Sequence, residues 1–574
     1  MSTIKIKRAL VAVYDKTGIV DFTRTLVDEF GIEIISTGGT AKHLKEAGVP
    51  VTMVEEVTGF PEMLDGRVKT LHPKVHAGIL ADRDKPDHLR QLKEQGIDPI
   101  DMVVVNLYPF EKTIAEPDCS FDQAVEMIDI GGPCMLRAAA KNHKHVVVVC
   151  RQENYETVLS ELRDEGEISL QTRMQLACDT FAATAEYDMA IHEYLYGCLN
   201  RDFGQPEEDK DFWFNDEVVQ VDLSLDRHSA PRYGENPHQR GSVWTWAGEC
   251  SEECSLLPML TESGEFKTDP LIAGDMSFNN YVDGDAALAL VKELSCAPLN
   301  QPCAVAFIKH TNACGCAIGD DPIDTYRRAY LGDPIAAAGG VLCMNFPVTR
   351  DIADTVMNSF GSWGKEAGAA FFKLDVWIAP SFDEEALTLI TTPTEKRKWG
   401  ASCRLLAVGD MKALPDANDV DFTKITGGVL VRERDLLGLN EEQWEVVTKR
   451  QPSEKEMIDL RFAWLVCKHT KSNAITVCQD GQLLGNGAGQ MSRVKSCDLA
   501  IQLAGENRHG DKLKGAVAAG DAFFPVPDGP QKLIDAGITA MIHPGGSNRD
   551  ADTIEACDKA DVAMILTGTR HFKH

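Results

Sequence analysis

The stretch Ile34-Ile35-Ser36-Thr37-Gly38-Gly39-Thr40-Ala41-Lys42 joins a β-branched run to a helical pattern through a Gly-Gly turn flanked by hydroxyl side chains. Glycines let the backbone approach an anion closely, and the free N–H groups at a helix start favour negative charge there. The order of strand, turn and helix therefore predicts an α/β unit with a candidate phosphate site at the turn. Helix caps of hydroxyls and glycines are also common without a ligand, so this stretch alone leaves both interpretations open.

The alternation of strands and helices continues on both sides of this turn. Over residues 8–150, the pattern predicts strands at 9–13, 32–35, 102–106 and 146–150, and helices at 19–29, 41–47 and 121–127. This rhythm is typical of a parallel sheet covered by helices. A long helix is predicted at 170–195, and a stretch rich in acidic and polar residues follows at 200–226.

The α/β pattern returns after residue 231, with strands predicted near 304–308, 339–344, 474–478 and 541–543. A chain of 574 residues has room for several domains. We expect a first domain at 1–200, a linker at 201–230 and a larger domain at 231–574 that is divided into two subdomains. The sequence contains no low-complexity tract and no short-period repeat.

Composition and cysteine usage narrow the function classes. A net charge of −30 argues against a nucleic-acid partner, because phosphate backbones need a basic face. No stretch approaches the ~20 apolar residues of a membrane span, and Asp15 and Lys16 interrupt the first apolar run too soon for a signal peptide. The 17 scattered cysteines fit buried thiols in a reducing cytosol. Cys314 and Cys316 form one tight pair, without a second Cys/His pair at metal-ligand spacing. We expect a cytoplasmic protein without a metal.

Two lysine-bearing stretches carry most of the chemical signal: Gly66-Arg67-Val68-Lys69-Thr70-Leu71-His72-Pro73 and Lys309-His310-Thr311-Asn312. Each places cations beside a histidine, hydroxyl or amide on a loop-like segment, which suits an anionic substrate and a proton transfer. Structural alternatives stay open, since His72-Pro73 can be a rigid turn and a Lys-His pair can be structural. The spacing of the two stretches predicts two active sites on one polypeptide.

Further polar motifs accompany each stretch. Asn106-Leu107-Tyr108-Pro109 follows a predicted strand at the carboxyl end, where ligands bind in open α/β sheets. Asp129-Ile130-Gly131-Gly132-Pro133 places a carboxylate before a glycine turn, and Arg137 and Lys141 follow one helical turn apart, a spacing also typical of a solvated helix face. The second half contains Arg232–Gln239, Ser277–Tyr281, Lys471–Asn473, a predicted glycine-rich turn at 485–493, and the segments 520–525, 544–547 and 570–574.

These motifs, in this order, resemble the bifunctional purine biosynthesis family that joins an inosine monophosphate (IMP) cyclohydrolase to an aminoimidazole carboxamide ribotide (AICAR) formyltransferase. In the first half the resemblance rests on 58–73, 106–109, 129–132 and 137–142. It implies a methylglyoxal-synthase-like parallel-sheet domain followed by a larger α/β transformylase region of cytidine-deaminase-like subdomains. It also implies a homodimer with no tightly bound cofactor, small-molecule substrates, and 10-formyltetrahydrofolate as cosubstrate.

The resemblance implies two reactions and assigns residues to each. A formyl group passes from 10-formyltetrahydrofolate to the 5-amino group of AICAR, and the formylated ribotide (FAICAR) then cyclises to IMP with loss of water. The implied catalytic residues are Lys69, Tyr108, Asp129 and Lys141 for cyclisation, and Lys309, His310 and Asn473 for transfer. The implied substrate-binding residues are Lys16, Thr37, Gly38, Gly39, Thr40, Arg67, Thr70, Asn106 and Gly131 in the first half, and Arg232, Tyr233, Asn280, Asp375, Arg493, Phe523, Pro525 and Arg570 in the second.

The implied chemistry explains these residue types. A carboxamide nitrogen is a poor nucleophile, so Asp129 is expected to remove its proton, while Lys69 or Lys141 stabilises the charge on the formyl oxygen. The 5-amine of AICAR is barely basic, and His310 is the expected general base because neutral imidazole accepts protons near pH 7. Lys309 is expected to stabilise the oxyanion or to protonate the departing folate nitrogen.

The chain also departs from the family pattern. Ala12 and Tyr14 stand where serines are usual, and Ala336 and Ala338 stand where bacterial relatives commonly have a serine and a phenylalanine. Ala313 replaces a common proline. Two alternatives follow: a cyclohydrolase with an impaired transferase site, or an N-terminal unit that only senses a phosphate ligand. The second is disfavoured, because a sensor needs the phosphate loop but no carboxylate and lysines at the reacting end.

Overall fold

A computed structural model describes residues 4–64, 67–116, 119–202, 223, 225–246, 254–257, 271–394, 398–412, 420–505 and 509–574. The chain folds as two compact units, Met1–Asp209 and Lys210–His574. Most of the predicted linker at 201–230, namely 203–222 and 224, lies outside the described residues, as does Gly66.

Unit 1 is built on a five-stranded parallel sheet in the order β3-β2-β1-β4-β5. Its strands are β1 (Arg8–Val13), β2 (Glu33–Ser36), β3 (Thr52–Met53), β4 (Met102–Asn106) and β5 (Val147–Val149). The first four residues of β4 are buried, as expected of a strand covered by helices on both faces. The order places β1 at the centre, between β2 and β4.

Helices cover both faces of this sheet. They are α1 (Ile19–Asp28), α2 (Gly38–Glu46), α3 (Val54–Thr58), α4 (Pro73–Leu80), α5 (Pro86–Glu94), α6 (Phe110–Ile114), α7 (Phe121–Glu126), α8 (Gly131–Lys141), α9 (Tyr155–Glu165) and α10 (Leu170–Asp202). Ser120 and Gln123 cap the start of α7 with reciprocal hydrogen bonds, which satisfy two otherwise unpaired backbone N–H groups. His72 caps α4 through Nδ1, which accepts a hydrogen bond from Lys74 N, so this histidine has the structural role left open by the sequence.

Unit 2 contains a twelve-stranded mixed sheet in the order β16-β21-β20-β19-β17-β18-β10-β9-β11-β12-β13-β8. Two separate hairpins are β6 (Leu225–Ser229) with β7 (Val243–Trp246), and β14 (Val420–Ile425) with β15 (Gly428–Glu433). The strands of the large sheet are β8 (Leu271–Ala273), β9 (Cys303–Lys309), β10 (Asn312–Gly319), β11 (Gly340–Met344), β12 (Leu374–Ala379), β13 (Arg404–Ala407), β16 (Glu445–Val446), β17 (Ile475–Gln479), β18 (Gln482–Gly487), β19 (Val517–Gly520), β20 (Ala540–His543) and β21 (Ala563–Leu566).

The large sheet is an internal repeat. The strands β9 to β13 and β17 to β21 follow the same pattern, a hairpin followed by one antiparallel and two parallel pairings. The repeats meet where β10 pairs with β18. Matching helices accompany them: α11 (Phe278–Cys296), α12 (Pro322–Gly332), α13 (Arg350–Ser359) and α14 (Glu384–Thr391) in the first repeat, and α15 (Glu454–Lys468), α16 (Arg493–Ala504), α17 (Asp528–Asp535) and α18 (Asp550–Lys559) in the second.

The α/β prediction is confirmed for both units, with most strand limits shifted by one residue. The glycine-rich turn predicted at 485–493 is wrong over its first three residues, because Gly485 and Gly487 lie inside β18. A Cβ on Gly485 or Gly487 would lie 2.0 Å from a carbonyl oxygen of α16. These glycines therefore let a helix pack closely on the strand. Among the described residues, no helix is long and apolar enough to cross a membrane.

Candidate active sites

The first candidate site lies at the carboxyl ends of the adjacent strands β2, β1 and β4. Thr37 precedes α2, and its hydroxyl is buried without a hydrogen-bond partner in the described structure. The N–H groups in the first turn of α2 have no acceptors within the helix. A Cβ on Gly38 would lie 3.1 Å from Lys69 Nζ, so the ammonium group reaches this turn. Lys69 is held by Glu62, whose Oε1 lies 2.9 Å from Nζ. The turn and the cation form a site suited to an anion.

Asp129 lies just before α8 and is held by hydrogen bonds to two neighbours. Its Oδ1 accepts a hydrogen bond from Gly132 N at 2.9 Å. Its backbone N–H donates to the Tyr187 hydroxyl at 2.8 Å, and that hydroxyl donates to Met127 O at 2.9 Å. Burial raises the pKa of Asp129, although the N–H groups of Gly131 and Gly132 oppose the shift. A fixed carboxylate with a raised pKa is suited to accept a proton near neutral pH.

The Tyr108 hydroxyl lies within the electrostatic influence of both Asp129 and Lys69. Burial raises the pKa of Tyr108, the Asp129 carboxylate raises it further, and the Lys69 ammonium opposes the shift. At the start of α8, a Cβ on Gly131 would lie 2.9 Å from Thr70 Oγ1. The structure therefore brings the Lys69-Thr70 segment, Tyr108 and the start of α8 into one site.

Three predicted substrate-binding side chains have partners within the protein. Lys16 Nζ donates to Tyr14 O at 2.9 Å. Asn106 Oδ1 accepts from Tyr14 N at 2.6 Å. The Thr40 hydroxyl donates to Val13 O at 2.8 Å and accepts from Val13 N at 3.1 Å. These contacts fix the loop after β1 and occupy the Thr40 hydroxyl, whereas the Lys16 ammonium retains an N–H for an anion.

Two further predicted residues lie farther from Asp129: Arg67 at the rim of the site, and Lys141 apart from it. Arg67 is exposed and pairs with Glu126. Lys141 is the last residue of α8, about 15 Å along the helix axis from its start, because an α-helix rises about 1.5 Å per residue. Arg137 lies over the Phe181 ring, 5.5 Å from its centre. The structure does not bring Lys141 to Asp129.

The second candidate site is centred on the hairpin that joins β9 to β10. Lys309 pairs with Asn312, and the two residues between them, His310 and Thr311, have φ values of 52° and 62°. Positive φ at both central residues is the signature of a type I′ turn. Thr311 N donates to Asp283 Oδ1 at 2.7 Å, which anchors the turn to α11. The exposed His310 ring is therefore carried on a fixed backbone.

Lys309 is oriented by the loop before β11. Its Nζ donates to Ala336 O at 3.2 Å and to Ala338 O at 2.9 Å. Both acceptors are backbone carbonyls, so the alanine side chains that depart from the family pattern leave this contact intact. The ammonium group retains a third N–H for a ligand.

A cavity of about 250 Å³ opens beside this hairpin. Burial raises the pKa of Cys314, which contributes to its wall, to about 12, so this thiol stays protonated at neutral pH. The cavity is lined by Lys309, His310, Asn312, Ala313, Cys314, Asp333, Ala336, Leu484, Gly485, Asn486, Ala488 and Leu503. Two distant motifs, 309–312 and 485–488, thus meet at one cavity.

Hydrogen bonds connect this hairpin to Asn473. Asn312 Oδ1 accepts from Lys471 N at 2.9 Å. Asn473 Oδ1 accepts from Arg493 at 2.7 Å, and Arg493 also pairs with Asp521, which is fully buried. The predicted residues Asn473 and Arg493 therefore belong to one network at the same edge of the sheet as Lys309.

The other predicted residues of unit 2 are spread along the large sheet. Asp375 lies on β12, two strands from β9, and pairs with Lys373 at 3.0 Å. The Asn280 side chain caps the start of α11. The Arg570 guanidinium lies 4.5 Å from the centre of the Phe572 ring. Arg232, Phe523 and Pro525 are exposed, and Tyr233 is partly buried.

Sequence reasoning missed several supporting residues. Tyr187, in the middle of α10, holds the backbone of Asp129. Asp521 accepts from the Ser472 hydroxyl at 2.6 Å, and that hydroxyl accepts from Lys573 N at 3.1 Å. The Gly520-Asp521 motif was a usable signal for the second case, whereas a tyrosine inside a long helix gives none.

Gly132→Ala tests the position of Asp129. A Cβ at this residue would lie 2.3 Å from Asp129 Oδ2, so the carboxylate has to move. We expect the rate of the reaction at this site to fall on the order of 10²-fold, the cost of a misplacement of about 1 Å. Gly197→Ala is the matched control, because a Cβ there meets nothing within 4 Å. Equal rates for the two variants in a steady-state assay would contradict the assigned position of Asp129.

The fold and the two polar sites define a two-site α/β enzyme. The family model described as "AICARFT/IMPCHase bienzyme" matches residues 139–503, and that of the MGS-like domain matches 18–134. The chain belongs to the AICARFT/IMPCHase bienzyme family.

Relatives match the chain over almost its whole length. The bifunctional purine biosynthesis proteins PurH of Bacillus cereus (strain AH820) and Bacillus thuringiensis (strain Al Hakam) are each 43% identical over 568 residues, covering 99% of this chain and 100% of the relative. The crystal structure of ForH aligns with 33% of this chain and 98% of its own, at 36% identity and a TM-score of 0.30.

Proposed function

We propose that each unit of this protein carries one active site, cyclisation in unit 1 and formyl transfer in unit 2. The protein is a bifunctional enzyme of purine biosynthesis, an AICAR formyltransferase and an IMP cyclohydrolase. The observation that carries our assignment is the separation of the polar groups into two clusters, one centred on Asp129 in unit 1 and one on Lys309 in unit 2.

In the first site, the ribotide phosphate binds the N–H groups at the start of α2. Asp129 accepts a proton from the carboxamide nitrogen as that nitrogen attacks the formyl carbon. Lys69 and the Tyr108 hydroxyl stabilise the negative charge that develops on the formyl oxygen, and loss of water then completes the ring. Because Lys141 lies at the far end of α8, this assignment gives it no contact with the reacting groups.

In the second site, the 5-amine of AICAR attacks the formyl carbon of 10-formyltetrahydrofolate. His310 accepts the amine proton, and the free N–H of Lys309 stabilises the oxyanion. Breaking the carbon–nitrogen bond to the folate then releases tetrahydrofolate, whose nitrogen takes up the proton. Asn473 and Arg493 hold the ribotide side of this site, and Asp375 lies on the folate side.

Membership of this family also supports assignments for the cosubstrate, the oligomeric state and the location of the protein. We infer that 10-formyltetrahydrofolate is a cosubstrate rather than a resident cofactor, that the protein is a cytoplasmic homodimer, and that its ligands are small molecules. Sedimentation of the purified protein tests the homodimer directly, and a monomer at working concentration would contradict it.

An absorbance assay tests the two activities separately. Purified protein receives AICAR with 10-formyltetrahydrofolate in one mixture and FAICAR alone in another. We expect IMP from both mixtures. If only the FAICAR mixture gave IMP, the alternative of a cyclohydrolase with an impaired transferase site would be supported. IMP from neither mixture would contradict the proposal.

A further inference from the structure

Tyr14 occupies the gap between the two halves of the first site. It is the residue directly after β1, and β1 lies between β2, which leads to the phosphate-binding turn, and β4, which leads to Tyr108. Neighbouring strands lie about 4.8 Å apart, so the ends of β2 and β4 are separated by roughly 10 Å. A ribotide that contacts both ends has to pass over the end of β1, where Tyr14 stands.

The backbone of Tyr14 is fixed on both sides of the peptide. Asn106 Oδ1 accepts from its N–H at 2.6 Å, and Lys16 Nζ donates to its carbonyl at 2.9 Å. Residues predicted to bind substrate therefore place this tyrosine. Its side chain starts from a defined position at the rim of the site.

The side chain remains open to a ligand. Tyr14 is 48% exposed, and Tyr108 beside it is 40% exposed. The ring centres are 5.3 Å apart, with the planes tilted by 54°. Two exposed aromatic rings in contact form an apolar wall that a planar heterocycle or a ribose can cover.

We propose that Tyr14 is a substrate-contacting residue of the cyclohydrolase site, and that its ring packs against the ribose and imidazole of FAICAR between the phosphate-binding turn and Tyr108. The proposal rests on the function proposed for unit 1. It adds a contact that discriminates a ribotide from a simple phosphate, because the tyrosine lies beyond the turn that binds the phosphate.

The test compares Tyr14→Ala and Tyr14→Phe with Tyr196→Ala in the full-length protein. Tyr196 is 55% exposed on α10 of the same unit and serves as the matched control. The measurements are KM and kcat for FAICAR, and inhibition constants for IMP and for inorganic phosphate. Formyl transfer to AICAR is measured in the same samples as an internal control for folding, since that reaction belongs to unit 2.

For Tyr14→Ala we expect about a tenfold rise in KM for FAICAR and in the inhibition constant of IMP, the size of a lost aromatic contact. Inhibition by inorganic phosphate and formyl transfer are expected to stay unchanged, and Tyr14→Phe and Tyr196→Ala are expected to resemble the wild type. An unchanged KM for Tyr14→Ala would overturn the inference. So would parallel losses of IMP and phosphate inhibition, because they would indicate damage to the turn. If the wild-type protein failed to cyclise FAICAR, the function proposed for unit 1 would be contradicted, and the inference about Tyr14 would be contradicted with it.

Discussion

Asp129→Asn is expected to lower cyclisation of FAICAR by 10²- to 10⁴-fold, the range for loss of a general base, and to leave formyl transfer unchanged. Asparagine has nearly the shape of aspartate and keeps an oxygen that can accept from Gly132 N, so the start of α8 is preserved. It cannot accept the carboxamide proton. The measurement is kcat for FAICAR in one assay and for AICAR in another.

The pH dependence of cyclisation follows from the same carboxyl group. Burial raises the pKa of Asp129, and the ionised form is the base. We therefore expect kcat/KM for FAICAR to fall as the pH is lowered through this raised pKa, and the acid limb to disappear from the residual activity of Asp129→Asn.

Stability provides a control with the opposite sign. A carboxyl whose pKa is raised on folding favours the folded state only while it is protonated, and this contribution is lost as the pH rises through the folded pKa. At neutral pH, Asp129→Asn is thus expected to match or exceed the thermal midpoint of the wild type. A variant that cyclises FAICAR at the wild-type rate would show that Asp129 is not the base.

The elements that the sequence predicts well are those decided by local pattern. The limits of β4 were predicted without error at 102–106, because a short, uninterrupted apolar run rich in valine that ends at a polar residue is typical of a strand buried on both faces. Helix α10 was predicted at 170–195 and extends to Asp202, since the apolar spacing fades before the helix ends. Local patterns decide the type of an element better than its end.

The support of each site depends on contacts between residues far apart in sequence. Asp129 is held by Tyr187, 58 residues away, and Asn473 by Arg493, which in turn pairs with Asp521. No local pattern encodes such pairs. The turn predicted at Gly485–Gly487 is wrong for a related reason. These glycines allow the close approach of α16 and do not form a turn.

The position of Lys141 at the end of α8 shows that a matching sequence motif does not by itself place a residue in the site. The assignment of Lys141 to the reacting groups rested on the resemblance of the stretch 137–142 to the family. A helix of this length separates its two ends by about 15 Å, so closeness in sequence is not closeness in space.

His310→Asn is expected to reduce formyl transfer by 10²- to 10⁴-fold, the loss of a general base, with cyclisation of FAICAR unchanged. Asparagine is the informative replacement, because His310 has a φ of 52°, a conformation that asparagine tolerates and alanine resists. The Asn312 side chain donates to the backbone carbonyl of His310 at 2.8 Å, a contact that survives the substitution.

Thr311→Asn is the matched control in the same turn. Thr311 has a φ of 62°, which is strained for a β-branched residue, and its only described anchor is a backbone N–H bond to Asp283 that asparagine retains. We expect wild-type transfer and a small rise in the thermal midpoint. If His310→Asn and Thr311→Asn lowered transfer equally, the turn itself and not the imidazole would control the rate, and His310 would not be the general base.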